Sequence, residues 1–419
     1  MKKNNMTPMQ QILLEVIKEA VRGRAFDRER EEADQIDWTE LHRLAVIHHI
    51  SAFIYDTVGR QMRQSGKNPQ EAALWRQEAM REVFVQMQTT ANFLATYRKL
   101  SAAGVKALVV KGVICRETYP KPDYRVSSDE DVLIRKEDFE KCDCVLRELG
   151  YQREQLTEDP LPYEVSYHHP QMGVSLELHL SFFAEESGAY GHLNREFDQV
   201  FEHATCQVIE NTPVYTPDPT DHYFYLICHS FKHFLHSGFG IRQVCDMMMF
   251  QEQYGREIRW DEILEKLDRL HMKIFWANLI SIMQEDLGAD LEKAQIPSCR
   301  EIEEADRESL LLDLMNGGIY GDSSMERKHS SNITLQAAAA GKKDTIGSFR
   351  ASLFPDRSYM KGKYPWLNQK PWLLPAAWVM RIASYAKNRK KQSNENTERN
   401  SAELGLERVE LLKKYGIIK

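Results

Sequence analysis

The chain has 419 residues, of which 42% are hydrophobic and 28% are charged. This composition indicates a folded protein with room for two or three domains, and it excludes a largely disordered chain. The formal net charge of −7 provides no overall attraction for a polyanion, so a long nucleic acid is not an expected partner. No apolar run approaches the roughly 20 residues that a transmembrane helix needs.

Seven cysteines are scattered through apolar parts of the sequence, and their number is odd. This usage is typical of a reducing compartment and not of a disulfide framework. The first residues lead into a helical pattern instead of the apolar segment of a signal peptide. We therefore expect a cytoplasmic protein.

Helical periodicity dominates the first hundred residues, and a long amphipathic helix is predicted from Glu71 to Leu100. Short apolar runs and strict alternation then indicate strands, after which helical spacing returns. These changes predict five segments: an N-terminal helical region (1–100), an α/β core (101–216), a helical domain (217–316), a linker (317–352) and a C-terminal helical tail (353–419).

An acidic triplet, Asp129-Glu130-Asp131, opens an apolar run in the α/β core. The run predicts a strand, on which Asp129 and Asp131 share one face with their α-carbons about 6.6 Å apart. Two carboxylates on one face can bind a divalent cation together. A solvated strand end is the alternative interpretation, and the neighbouring sequence has to decide between the two.

A second strand with a polar face is predicted at residues 173–180, where apolar and polar residues alternate strictly. Glu177 and His179 lie on that polar face. Glu177 therefore offers a third carboxylate in addition to Asp129 and Asp131. Such a set of oxygen donors suits Mg²⁺ or Mn²⁺.

Six motifs occur in a fixed order along the core: Lys111-Gly112, Tyr119-Pro120, Arg125, Asp129-x-Asp131, Gly150-Tyr151 and Glu177-x-His179. This order resembles the uncharacterised nucleotidyltransferase family of the polymerase-beta-like superfamily. The resemblance implies an α+β fold, in which a small mixed β-sheet core similar to a polymerase palm lies between helical regions. It also implies transfer of a nucleoside monophosphate from a nucleoside triphosphate by two divalent metal ions. Asp129, Asp131 and Glu177 would then be the catalytic metal ligands, holding Mg²⁺ or Mn²⁺.

The strand-to-helix turn at Lys111 and Gly112 is the expected contact for the triphosphate. Lys111 would supply a cation, and Gly112 would allow close approach to a backbone amide at a helix N-terminus. Arg125 is a further expected phosphate contact, because its planar fork matches two phosphate oxygens. A salt bridge from Arg125 to Glu130 or Glu117 is the alternative.

Histidines are concentrated in the helical segment that follows. His222, His229, His233 and His236 are spaced by seven, four and three residues, and Asp246 follows them. Taken alone, this set is a candidate zinc or iron site of a hydrolase. Buried histidines that bond the backbone and Asp246 are the alternative.

The family resemblance implies a different role for this segment, as one wall of the substrate cleft. On this interpretation Lys232, His233 and Arg242 contact the nucleotide, with Asp246 beside them. The aromatic and basic run at 364–386 also has two interpretations, a peripheral membrane contact and packing onto the helical domain.

Three functions are therefore open. The first is a nucleotidyltransferase that uses a nucleoside triphosphate and an unidentified acceptor, either a small molecule or a protein. The second is a non-catalytic protein that binds a nucleotide or partner and regulates it. The third is a histidine-metal hydrolase centred on residues 222–246.

Overall fold

The computed structural model describes residues 6–154, 162–236, 238–317, 334–335, 337–338, 364, 370–378, 380, 405 and 408–418. Nearly all of the predicted linker (317–352) and most of the predicted tail (353–419) lie outside the described residues. The division into five segments therefore stays a prediction.

Helices make up most of the described chain. The helices are α1 (Pro8–Ala20), α2 (Arg30–Ala33), α3 (Trp38–Ile47), α4 (Ser51–Ser65), α5 (Pro69–Ala102), α6 (Gly112–Arg116), α7 (Phe139–Glu148), α8 (Pro219–Leu235), α9 (Ile241–Tyr254), α10 (Trp260–Arg269), α11 (Lys273–Glu285), α12 (Arg300–Glu303) and α13 (Glu308–Gly317). Local sequence signals explain the start of the two helices that flank the sheet in sequence. Asn68 caps α5 and Asp218 caps α8, and a proline follows each cap.

Seven strands form one mixed sheet. They are β1 (Leu108–Val110), β2 (Glu130–Leu133), β3 (Gln152–Arg153), β4 (Glu164–His169), β5 (Val174–His179), β6 (Thr205–Ile209) and β7 (Thr212–Thr216). The strand order is β3-β4-β5-β2-β1-β7-β6, in which β2 and β5 are parallel, β1 and β7 are parallel and the other pairs are antiparallel. The predicted α+β fold with a small mixed sheet is confirmed.

A single hydrophobic core joins the helices before the sheet, the sheet itself and the helices after it. Its buried members include Leu13 on α1, Trp75 on α5, Val132 on β2 and Phe224 on α8. Leu412, near the end of the chain, belongs to the same core. Helices that precede the sheet in the sequence and helices that follow it therefore pack in the same core as the sheet. This packing keeps the polar ends of the strands in fixed positions.

Other expectations concern the cysteines and the membrane. All seven cysteines are free thiols. Among the described residues, no helix is long and apolar enough to cross a membrane. In the described part of 364–386, Tyr364, Leu374 and Trp378 pack around Ala377, whereas Trp372 is exposed.

Candidate active site

The pairing of β2 with β5 brings the acidic residues together. The parallel register sets Asp131 opposite Glu177 and Leu133 opposite His179. Asp131, Glu177 and His179 each offer a ligand atom, and these atoms lie within 4.8 Å of one another. Among the described residues, this is the group of His, Cys, Asp and Glu side chains with the spacing of a metal site. Asp129 precedes the first residue of β2 and is not a member of the group.

His179 lies between carboxylates. Its Nε2 is 3.1 Å from Asp131 Oδ1 and 3.8 Å from Glu177 Oε2. Its Nδ1 faces Glu164 Oε2 on β4 at 3.8 Å, which is too long for a hydrogen bond. The imidazole is only 3% exposed, and its Nδ1 has no hydrogen-bond partner among the described residues.

The charges in the group perturb one another. Burial raises the pKa of Glu177 to about 8, and repulsion from Asp131, Glu164 and Asp129 adds to the rise. Burial opposes ionisation of Asp131 as well, but Lys111 and His179 together outweigh it and hold the pKa of Asp131 below its usual range. A divalent cation would relieve the repulsion at Glu177, so the donor set fits a bound metal ion.

Lys111 connects the acidic group with α8. Its Nζ is 2.9 Å from Asp131 Oδ2 and 3.0 Å from His229 Nε2. Its backbone has a positive φ of 53°, a conformation that residues other than glycine rarely adopt. The backbone N–H of Lys111 donates to His222 Nε2 at 3.1 Å, and His222 Nδ1 donates to Thr216 Oγ1 at 3.0 Å. Burial lowers the pKa of His222 to about 3, so this imidazole stays neutral and holds the turn.

The turn after Lys111 accommodates a carboxylate of the chain itself. Glu130 is fully buried, and its Oε2 accepts a hydrogen bond from the Val113 N–H at 2.9 Å. Its Oε1 accepts from Arg116 at 2.5 Å. A Cβ atom at Gly112 would lie 2.0 Å from Glu130 Oε2, so a glycine is required for this approach. The side of the turn predicted to receive a phosphate is therefore occupied by Glu130.

Arg125 is buried in an ion pair that the sequence did not predict. Its guanidinium donates to both carboxylate oxygens of Asp246, at 3.1 and 2.6 Å, and Tyr119 donates to the same carboxylate at 2.8 Å. Neither of the alternative partners, Glu130 and Glu117, is the one observed. A phosphate contact by Arg125 would require the pair with Asp246 to open.

Lys232 and His233 lie on α8, on the side of Lys111. Lys232 Nζ donates to the hydroxyl of Tyr163 at 3.2 Å, and burial lowers its pKa. His233 Nε2 is 3.1 Å from His229 Nε2, which also contacts Lys111. Burial, with the nearby charge of Lys232, lowers the pKa of His233 to about 3, so His233 is neutral at pH 7.

Arg242 lies at the start of α9, beside the loop that leads to β2. Its guanidinium donates to the carbonyl oxygen of Val126 at 2.6 Å, and its Nε has no hydrogen-bond partner among the described residues. Burial and the nearby charge of Arg125 lower its pKa. No carboxylate of the described chain is within ion-pair distance of either Arg242 or Lys232, so both cations can bind an anion.

The histidines of the proposed hydrolase site do not meet at one point. They belong to separate contacts: His222 with Lys111 and Thr216, His229 with Lys111 and His233, His236 with Tyr190, and Asp246 with Arg125. The alternative of histidines with separate partners describes them better, although only His222 of the four is fully buried and Asp246 bonds Arg125 instead of a histidine.

Three residues that complete the site, His179, Glu164 and His229, are absent from the predicted nucleotidyltransferase site, although His229 belongs to the predicted hydrolase site. His179 was visible, because strand alternation sets it on the same face as Glu177. Glu164 reaches His179 only through the antiparallel register of β4 with β5, which no local pattern reveals. His229 had a signal in its spacing of seven from His222, but its contact with Lys111 depends on how α8 packs against the sheet.

A mixed sheet with acidic residues on adjacent strands, flanked by helices, defines an α+β protein of the nucleotidyltransferase class. The model of one family, described as uncharacterised nucleotidyltransferase, matches residues 34–288. The chain belongs to this family, as its motifs predicted. The match includes the sheet, the acidic group and helices α8 and α9. No curated protein and no solved structure matches the chain.

Proposed function

We propose that the chain is a metal-dependent nucleotidyltransferase, which moves a nucleoside monophosphate from a nucleoside triphosphate to a small-molecule or protein acceptor. The observation that carries this proposal is the in-register pairing of Asp131 with Glu177. Lys232 lies on α8 and Arg242 on α9, and neither has a carboxylate of the described residues within ion-pair distance. A site for metal-bound triphosphate needs both kinds of charge, acidic side chains for the ions and cations for the phosphates.

Three carboxylates have a role in this proposal. Asp131 and Glu177, with Asp129 from the preceding loop, would hold the divalent ions. When bound, a pair of such ions lowers the pKa of the acceptor hydroxyl and neutralises the leaving pyrophosphate. The Glu177 carboxylate, ionised once an ion is bound beside it, takes the proton from the acceptor oxygen.

The cations position the nucleotide. Lys232 and Arg242 bind phosphate oxygens, because each has donors that no carboxylate of the described chain neutralises. Lys111 contacts both Asp131 and His229, so its ammonium lies between the acidic group and α8. The Lys111 ammonium can therefore contact a bound phosphate group from within the site. Arg125 instead supports the loop before Asp129 through its pair with Asp246.

One observation favours the regulatory alternative as a second candidate. Both carboxylate oxygens of Asp131 already have partners, Lys111 on Oδ2 and His179 on Oδ1. A protein that binds a nucleotide without catalysis would retain these contacts. The hydrolase alternative has no comparable support, since its histidines have separate partners.

The test uses the purified full chain with each of the four nucleoside triphosphates, Mg²⁺ or Mn²⁺, and pools of small-molecule or protein acceptors. Pyrophosphate release and transfer of α-³²P label are measured. We expect turnover to fall by about 100-fold or more in Glu177→Gln and in Asp131→Asn. Asp56→Asn, which removes a surface partner of Lys121, is the matched control and should keep full turnover.

The outcomes separate the two candidates. Turnover that survives in Asp131→Asn would contradict the transferase proposal, because the ions would then be bound elsewhere. Nucleotide binding without pyrophosphate release, under every combination of ion and acceptor, would favour the regulator.

A further inference from the structure

We propose that His179 is itself a metal ligand, so that the ion held by Asp131 and Glu177 is preferentially a transition metal such as Mn²⁺. The inference rests on the proposed function only for the location of the ion. It departs from the all-oxygen set expected from the sequence, in which Asp129 was the third ligand.

The distances in the group fit one ion with a mixed set of donors. Asp131 Oδ1 is 3.1 Å from His179 Nε2, and Glu177 Oε2 is 3.8 Å from the same nitrogen. Adjacent ligands of an octahedral ion with bonds of about 2.1 Å lie about 3 Å apart, and opposite ligands about 4.2 Å apart. The 3.1 Å separation is that of adjacent ligands, and the 3.8 Å separation lies between the two values. Because Lys111 contacts Asp131 through Oδ2, it does not occupy the oxygen that faces the imidazole.

The environment of the other ring nitrogen is an independent observation. His179 is 97% buried, and its Nδ1 has no hydrogen-bond partner among the described residues. That nitrogen faces the Glu164 carboxylate at 3.8 Å. Metal-binding histidines usually donate their second ring N–H to such a carboxylate, which fixes the tautomer and orients the ring. A small rotation of the Glu164 side chain would complete that contact once Nε2 is bound to an ion.

The donor types determine which ion is preferred. Mg²⁺ prefers oxygen donors and loses its bound water molecules slowly, whereas imidazole is a good ligand for first-row transition metals. Two carboxylates and one imidazole therefore favour Mn²⁺ over Mg²⁺. If His179 only donates a hydrogen bond to Asp131, the site has two carboxylates from this group and no such preference.

The experiment measures metal binding and not catalysis. The full chain is treated with a chelator, loaded with Mn²⁺ alone and examined by pulsed electron paramagnetic resonance, with and without ¹⁵N-labelled histidine. We expect nitrogen coupling to Mn²⁺ that changes with the label and disappears in His179→Gln. The Mn²⁺ affinity of His179→Gln should fall by about tenfold or more, whereas its Mg²⁺ affinity should change little.

Two further variants test whether the nitrogen coupling comes from His179. His168→Gln removes an exposed histidine from the neighbouring strand β4 and should retain the coupling. Glu164→Gln should retain the coupling but weaken Mn²⁺ binding by about tenfold, because it removes the outer partner of the imidazole. The wild-type spectrum and Glu164→Gln decide the question even if His179→Gln does not fold.

Absence of nitrogen coupling in the wild type, or its persistence in a folded His179→Gln, would overturn the inference. This failure is distinguishable from failure of the proposed function. Transfer that proceeds without any nitrogen coupling would refute only the histidine ligand. Nitrogen-coupled Mn²⁺ in a protein that transfers no nucleotide would support the ligand and refute only the transferase.

Discussion

At the scale of single residues, Glu177 is the clearest case of a side chain whose position lowers stability. It is partly buried and shares its surroundings with Asp131, Glu164 and Asp129. No lysine or arginine of the described chain is within ion-pair distance of it, and the His179 Nε2 is 3.8 Å away. Strained charges of this kind are typical of functional sites.

We therefore expect Glu177→Gln to stabilise the metal-free protein. The pKa of Glu177 rises from an ordinary value of 4.5 to about 8 on folding. Between these values the folded protein retains a proton that the unfolded chain has lost, so the residue lowers stability increasingly as the pH rises to 8. After allowance for partial exposure, the gain should be about 2 kcal/mol at pH 8 and should shrink towards pH 5.

The measurement is urea denaturation of both proteins in the presence of a chelator at pH 8 and pH 5. Glu140→Gln, an exposed substitution on α7, is the control and should change the free energy of unfolding by less than about 0.5 kcal/mol. A loss of stability in Glu177→Gln at pH 8 would contradict the repulsion inferred here.

At the scale of elements, helix α9 holds the loop between α6 and β2, which ends at Asp129. Asp246 accepts hydrogen bonds from Arg125 and Tyr119 of that loop, and Arg242 donates to its Val126 carbonyl. These contacts link segments more than a hundred residues apart. The position of Asp129 next to the acidic group therefore depends on the packing of α9.

We predict that Asp246→Asn costs about 3 kcal/mol of stability, because it leaves the buried guanidinium of Arg125 without an opposite charge. The double variant Arg125→Met with Asp246→Leu should be more stable than the single variant, since it removes both charges together. Urea denaturation of the two variants and the wild type provides the comparison. A single variant as stable as the wild type would show that the pair is not desolvated.

At the scale of the whole molecule, the end of the chain completes the core. Val409, Leu412 and Tyr415 are buried in the same cluster as the sheet and the N-terminal helices. Arg408 donates to the carbonyl oxygen of His236, which follows the last residue of α8. Residues 408–418 therefore support the helix that carries Lys232.

Leu412→Ala should lower the free energy of unfolding by about 3 kcal/mol, because it opens a cavity in a fully buried position. Leu74→Ala, at a position that is 47% exposed, is the matched control and should cost less than about 1 kcal/mol. Thermal or urea denaturation of both variants tests the difference. Equal effects would mean that residues 408–418 are not part of the core.

Much of the fold follows from local patterns. The helix predicted from Glu71 to Leu100 agrees with α5, and the alternation at 173–180 agrees with β5. The motif order led to the nucleotidyltransferase family, which the comparison confirms. These features are readable because side-chain periodicity reflects which face of a helix or strand is buried.

The sequence by itself predicted the helical regions and the two strands that carry the acidic residues, and strand alternation with the order of the motifs made Asp131 and Glu177 candidate metal ligands. Only the tertiary structure decided that Asp131 lies opposite Glu177, that Glu164 faces His179, and that Asp246 is the partner of Arg125. The reason is physical: strand register and helix packing select contacts between residues that are distant in sequence. Local periodicity carries no information about such partners.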